Sequence, residues 1–180
     1  NEIYFEDQTL PAGTYNQEYT KGTFNGATNG TGSYTYTITK ATLGGNTITN
    51  YNGLSLSGTT FSGTPTQAGT YVFTIKATDN GSGKTKEANI TIPINKVTIS
   101  GTAVISGTAE YGQTLTASIS GGISGATYTY VWEFKPEGGK YATIAITTNS
   151  FVISVANVGQ NKVKGGTFRV TISGSGNYQG

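Results

Sequence analysis

The chain repeats itself once, at an offset of about 96 residues, and the repeat runs almost without gaps. Tyr15-Asn16-Gln17-Glu18-Tyr19-Thr20 returns as Tyr111-Gly112-Gln113-Thr114-Leu115-Thr116. At the same offset Tyr34-Thr35-Tyr36-Thr37-Ile38 falls on Tyr130-Val131-Trp132-Glu133-Phe134, which sets Trp132 against Tyr36. One residue further out of step, Gly69-Thr70-Tyr71-Val72-Phe73-Thr74-Ile75 matches Gly166-Thr167-Phe168-Arg169-Val170-Thr171-Ile172. A repeat of this length is too long for a solenoid and suits a whole small β domain. It predicts two tandem sandwiches, one over residues 1–95 and one over 96–180.

The residue types agree. The chain holds 33 Thr, 12 Tyr and 27 Gly; Thr and Tyr suit pleated, half-buried strands, and Gly supplies turns. No window carries a sustained 3.6-residue apolar stripe, so the chain reads as all β. Tyr34, Tyr36 and Ile38 alternate onto one face, as do Tyr71, Phe73 and Ile75. Ile3 to Phe5 is expected to form a first edge strand, and Tyr15 to Phe24 also alternates. In the second half Leu115, Ala117 and Ile119 alternate, as do Tyr128, Tyr130, Trp132 and Phe134. Phe151, Ile153 and Val155 take the slot of Leu54 and Leu56, and Phe168, Val170 and Ile172 mirror Tyr71, Phe73 and Ile75.

The halves differ at their ends. In the first, the turn Asp79-Asn80-Gly81-Ser82-Gly83 leads into a closing strand, Ala88 to Ile94. In the second, the sequence reaches Gly180 just after the corresponding turn, Gly174-Ser175-Gly176-Asn177. The expectation is a second sandwich without its last strand, with an open edge there or one paired to a neighbouring molecule. Asn95 to Val97 joins the halves without a Pro- or Ser-rich spacer, which restricts the angle between them.

Gly53-Leu54-Ser55-Leu56-Ser57-Gly58, then Gly63-Thr64-Pro65, Gly69-Thr70-Tyr71 and Ala77-Thr78-Asp79, resemble the putative-Ig repeat of bacterial surface proteins over about residues 10 to 95. Gly63 and Pro65 turn the chain between layers, and Gly69 admits a tight entry into the next strand. Tyr111 to Ala117, Tyr130-Val131-Trp132 and the terminal Gly174 to Gly180 resemble a related bacterial Ig-like repeat, although the Gly-Thr-Pro turn is missing. The resemblance implies tandem immunoglobulin-like sandwiches used as spacers or adhesive modules in long extracellular proteins. Fold alone does not set function.

Chemistry is sparse. The chain has no His and no Cys, which excludes a disulfide scaffold and thiolate chemistry. Glu2, Glu6 and Asp7 read as a solvated acidic edge, and Glu133 with Glu137 offers no convincing pair across a cleft. The junction Ile94-Asn95-Lys96-Val97 brings a lysine where a calcium site needs carboxylates, and Asp79 with Asn80 reads as a turn capping its own backbone. An internal isopeptide bond would need Lys76 or Lys86 with Asn89, but alternation points Lys76 outward. No catalytic, cofactor-binding or metal residue is assigned, and no cofactor is expected.

Trp132, Tyr34, Tyr36, Tyr71 and Phe73 read as core by their phase. Tyr4, Tyr51, Tyr141 and Tyr178 are the rings best placed for exposure. A net charge of +2 without a basic run argues against nucleic acid, and no apolar stretch is long enough to span a membrane. The chain opens at Asn1 without a Met, as a processed or excised piece does. The expected role is a non-catalytic spacer or adhesive stalk segment at a bacterial cell surface. The alternative is a carbohydrate- or protein-binding module of a surface glycan-handling system. Expected partners are other domains of a larger surface protein, a host protein or a glycan.

Overall fold

Short strands separated by glycine turns build nearly the whole molecule. The computed structural model describes residues 2–180, and the chain divides into two units, one ending at Val97 and the other spanning Thr98–Gly180. The first unit contains β1 (Gln8–Thr9), β2 (Gly13–Thr14), β3 (Gly22–Thr23), β4 (Tyr34–Leu43), β5 (Asn46–Ile48), β6 (Ser55–Ser57), β7 (Thr60–Ser62), β8 (Gly69–Asp79) and β9 (Thr85–Asn95). One sheet has the order β1-β9-β8-β4-β5, with β2 also on β9; a second has the order β3-β7-β6. Both β1 and β2 run parallel to β9, whereas β9-β8-β4-β5 is antiparallel throughout.

Alternation fills the space between these sheets. Tyr71, Phe73, Ile75 and Ala77 of β8 point inward and are fully buried, as are Ile90 and Ile92 of the neighbouring β9. From the other sheet Phe61 meets Phe73 with ring centroids 4.6 Å apart, and Phe24 packs edge-on to Tyr36 at 5.5 Å. Such ring pairs contribute about 0.5–1.5 kcal/mol each beyond their burial. Tyr71 keeps its hydroxyl satisfied inside, donating to the Gln67 carbonyl at 2.7 Å and accepting from Asn52 Nδ2 at 3.1 Å.

Two glycines lock the turn between layers. A Cβ on Gly63 would lie 2.0 Å from the Gly53 carbonyl oxygen, and one on Gly53 would lie 2.1 Å from that of Thr64. Both have positive φ, 110° and 89°, so a side chain is refused by sterics and by backbone conformation alike.

The N-terminal region departs from the expected strands. Ile3 and Phe5 drop into the core, but Tyr4 makes only an isolated bridge to Thr28. Between Tyr15 and Phe24 the only strand is Gly22–Thr23. There the chain turns at Thr14 to Gln17 and sends Tyr19 and Phe24 inward as separate anchors. Apolar spacing marks what is buried; a ladder additionally needs a backbone partner.

The second unit is built from β10 (Val97–Thr98, across the boundary), β11 (Thr102–Ser106), β12 (Thr114–Ser120), β13 (Tyr128–Lys135), β14 (Ala142–Thr143), β15 (Ser150–Val152), α1 (Val155–Val158), β16 (Thr167–Gly174) and β17 (Tyr178–Gln179). Its two three-stranded sheets are β11-β12-β15 and β14-β13-β16, and β17 pairs with β10. Trp132 is fully buried among Phe134, Phe151, Ile153, Leu115 and Ala117, and its indole N–H donates to the Thr148 carbonyl at 2.9 Å. Val155 does not continue the alternation of Phe151 and Ile153. It opens the single turn of α1 and is 54% exposed, while Val158 at the end of that turn is buried.

The ladders set the two halves against each other differently from the sequence match. In the first unit Asp79 N–H donates to the Lys84 carbonyl, and Tyr34 stands opposite Asp79. In the second, Gly174 N–H donates to the Gly180 carbonyl, and Tyr128 stands opposite Gly174. Counted from these matching hairpin bonds, Tyr36 corresponds to Tyr130 and Ile38 to Trp132. Likewise Phe73 corresponds to Phe168, and Ile75 to Val170. Setting Trp132 against Tyr36 was therefore two residues out on the ladder. A shift of two leaves every side chain on its original face, so alternation alone cannot detect it.

Candidate functional site

The groups capable of chemistry lie apart and are mostly engaged in structure. Asp79 is the clearest case, a carboxylate only 1% exposed at the end of β8. It does more than cap its own turn. One oxygen accepts from Thr31 Oγ1 at 2.5 Å, the other accepts from Ser82 Oγ at 2.5 Å, and Thr31 N–H approaches both. Asp79 thus ties the loop before β4 to the β8–β9 hairpin. The hydroxyl hydrogen bonds from Ser82 and Thr31 lower its pKa to about 2.

The remaining carboxylates are dispersed. Glu6 accepts from the Tyr4 hydroxyl at 2.5 Å, which raises the phenol's pKa, and Asp7 accepts from Asn89 N–H at 2.7 Å. On the outer face of β13 and β16, Glu133 receives a two-pronged bond from Arg169, at 2.6 Å from Nε and 3.0 Å from Nη2. These hydrogen bonds hold the Glu133 carboxyl below its usual range. Glu137 lies beyond β13 in an exposed turn, with Gly165 close to its carboxylate. Among the described residues no group of three or more His, Cys, Asp or Glu converges as a metal site needs.

The rings expected at the surface fare unequally. Tyr4 is 57% exposed. Tyr51 is half-buried and packs edge-on against Phe73 at 5.5 Å. Tyr141 is half-buried, with the Arg169 guanidinium 3.8 Å from its ring centroid, so one face is already covered. Tyr178 is half-buried. The ring that sequence reasoning missed is Tyr111, 38% exposed beside an open cleft of about 530 Å³ lined by Ala109, Glu110, Asn161, Val163 and Lys164. Its hydroxyl donates to the Gly159 carbonyl and accepts from Lys162 N–H at 3.0 Å, pinning the loop after α1. The repeated Tyr at positions 15 and 111 was the available signal, since it flagged a fixed ring without showing what it holds.

No helix among the described residues is long and apolar enough to cross a membrane. The family model described as a putative Ig domain matches residues 52–95, the stretch from the Gly53–Gly63 lock to the end of β9. This portion of the chain is Ig-like. No curated protein matches the chain.

Proposed function

We propose that the chain is a non-catalytic pair of Ig-like sandwiches, each forming one domain, that acts as a semi-rigid spacer or adhesive stalk segment of an extracellular or cell-surface bacterial protein. The observation that carries this reading is the junction. Strand β9 ends at Asn95 and β10 begins at Val97, leaving Lys96 alone between two strands. A connection this short has little conformational freedom, unlike a flexible coil of many residues. Support also comes from how the aromatic side chains are used, because most large rings fill cores or fasten loops.

The chain has no cysteine, so labels can be placed uniquely at Ser57→Cys and Ser118→Cys. The expected result is one narrow distribution of label separations, which broadens when a flexible Gly-Ser segment is inserted after Lys96. A distribution already broad without the insertion overturns the semi-rigid role. A glycan array tests the remainder: a spacer leaves it blank. Selective hits lost in Tyr4→Ala or Tyr111→Ala overturn the spacer reading in favour of a carbohydrate-binding module.

A further inference from the structure

We propose that Asn25 is a modification site: the folded chain deamidates at the Asn25-Gly26 step, through a cyclic imide, to isoaspartate and aspartate. The sequence offers four Asn-Gly pairs, Asn25-Gly26, Asn29-Gly30, Asn52-Gly53 and Asn80-Gly81. All four carry the same local chemistry, because a glycine has no Cβ to keep its backbone nitrogen from the preceding side-chain amide. The reaction needs two groups at liberty. The asparagine amide must swing onto the next backbone nitrogen, and base must remove that nitrogen's proton. A hydrogen bond to either group has to break first.

The fold holds three of the pairs. The Asn29 amide donates to the Glu2 carbonyl at 2.7 Å, and the Gly30 N–H donates to the Tyr34 hydroxyl at 2.7 Å. The Asn80 amide is fixed at both ends, accepting from Thr35 Oγ1 at 2.9 Å and donating to Ser33 Oγ at 3.0 Å, while the Gly81 N–H bonds the Asp79 carboxylate. Asn52 is half-buried, and its amide donates to the Tyr71 hydroxyl at 3.1 Å.

Asn25 differs. It is exposed and outside any strand, and among the described residues no hydrogen bond engages its side-chain amide or the Gly26 N–H. What is held is the main chain around it. Asn25 N–H donates to Gln8 Oε1 at 2.7 Å, and the Asn25 carbonyl accepts from Gln8 Nε2 at 2.9 Å. On either side Phe24 N–H donates to the Thr59 carbonyl and Ala27 N–H to the Tyr36 hydroxyl.

The chemistry closes without a redox partner. Base takes the Gly26 N–H proton, the nitrogen bonds to the Asn25 side-chain carbonyl carbon, and the amide nitrogen leaves as ammonia. Water then opens the imide, at the former main-chain carbonyl to give isoaspartate or at the former side-chain carbonyl to give aspartate. Either product puts a carboxylate where an amide stood and lowers the net charge of +2 by one. Isoaspartate also adds a methylene to the main chain between the two groups that Gln8 grips, which loosens the tie of β1 to this loop. Aspartate leaves that tie in place.

The test incubates the whole chain at mildly alkaline pH, folded and in denaturant, and follows each Asn-Gly pair by peptide mass spectrometry with electron-transfer fragmentation. In denaturant the four pairs should convert at similar rates. In the folded chain Asn25 should convert about tenfold or more faster than Asn29, Asn52 or Asn80, with isoaspartate as the larger product. Earlier conversion at another pair overturns the proposal, as does protection of Asn25 equal to that of the other three. A product at Asn25 that is aspartate alone overturns it too, because direct hydrolysis would then have replaced the imide.

Discussion

Phe73 and Phe168 occupy corresponding rungs of two similar ladders, yet Phe73 is fully buried and Phe168 only half so. The strands that carry them have the same alternation. The difference lies in their neighbours: β8 has β4 on one side and β9 on the other, while among the described residues β16 forms its ladder with β13. Strand burial is thus a property of the sheet around the strand, and the same pattern has different energetic weight in the two units.

Substituting these paired residues tests the comparison with the largest expected effect. Phe73→Ala should destabilise the first unit by about 3–5 kcal/mol, whereas Phe168→Ala should cost the second about 1–2 kcal/mol, since less transfer free energy is lost from a half-exposed ring. Denaturant titration of each variant measures both, and equal losses would break the comparison. Next in size is the order of unfolding. Trp132 is the only tryptophan, so its fluorescence reports the second unit alone. With fewer fully buried side chains and a half-exposed β16, that unit should unfold at lower denaturant than the first, which the resolved NMR signals of Tyr71 and Phe73 follow. Coincident transitions would contradict the expected difference in stability.

Acid sharpens the contrast further. Asp79 has a folded pKa of about 2 against 3.8 for the ordinary group, so the unfolded chain takes up this proton first as pH falls. Its contribution to the first unit is complete above about pH 4 and is lost as pH drops through about 2. Asp79→Asn should flatten that part of the stability profile while leaving the Trp132 signal of the second unit unchanged. The smallest effect belongs to the exposed Glu133–Arg169 pair. Arg169→Lys removes the two-pronged geometry and the stacking on Tyr141, and the resulting slight loss should vanish in high salt.

Much of this was legible from residue order. The inward phase of Tyr71, Phe73, Ile75, Leu115, Ala117 and Trp132 follows from period-two alternation, and the structure buries all six. The Gly63-Thr64-Pro65 turn was legible because glycine and proline restrict backbone conformation locally. The candidate site was far less so. Tyr51 and Tyr141 read as exposed because they lie outside regular alternation. Phe73 covers the one and Arg169 the other, both distant in sequence. Asp79 read as a local cap, and its partner Thr31 lies 48 residues away.

What the sequence by itself determined is the class of the chain, its turn chemistry and the face on which its core strand residues lie. These depend on local backbone preference and on a period of two, and both are written in neighbouring residues. The tertiary structure alone decided which rungs of β13 and β16 face each other, the loop that Asp79 fastens and the partners that cover Tyr51 and Tyr141. Each of these depends on which distant segment arrives alongside, and a shift of two residues leaves the local pattern unchanged.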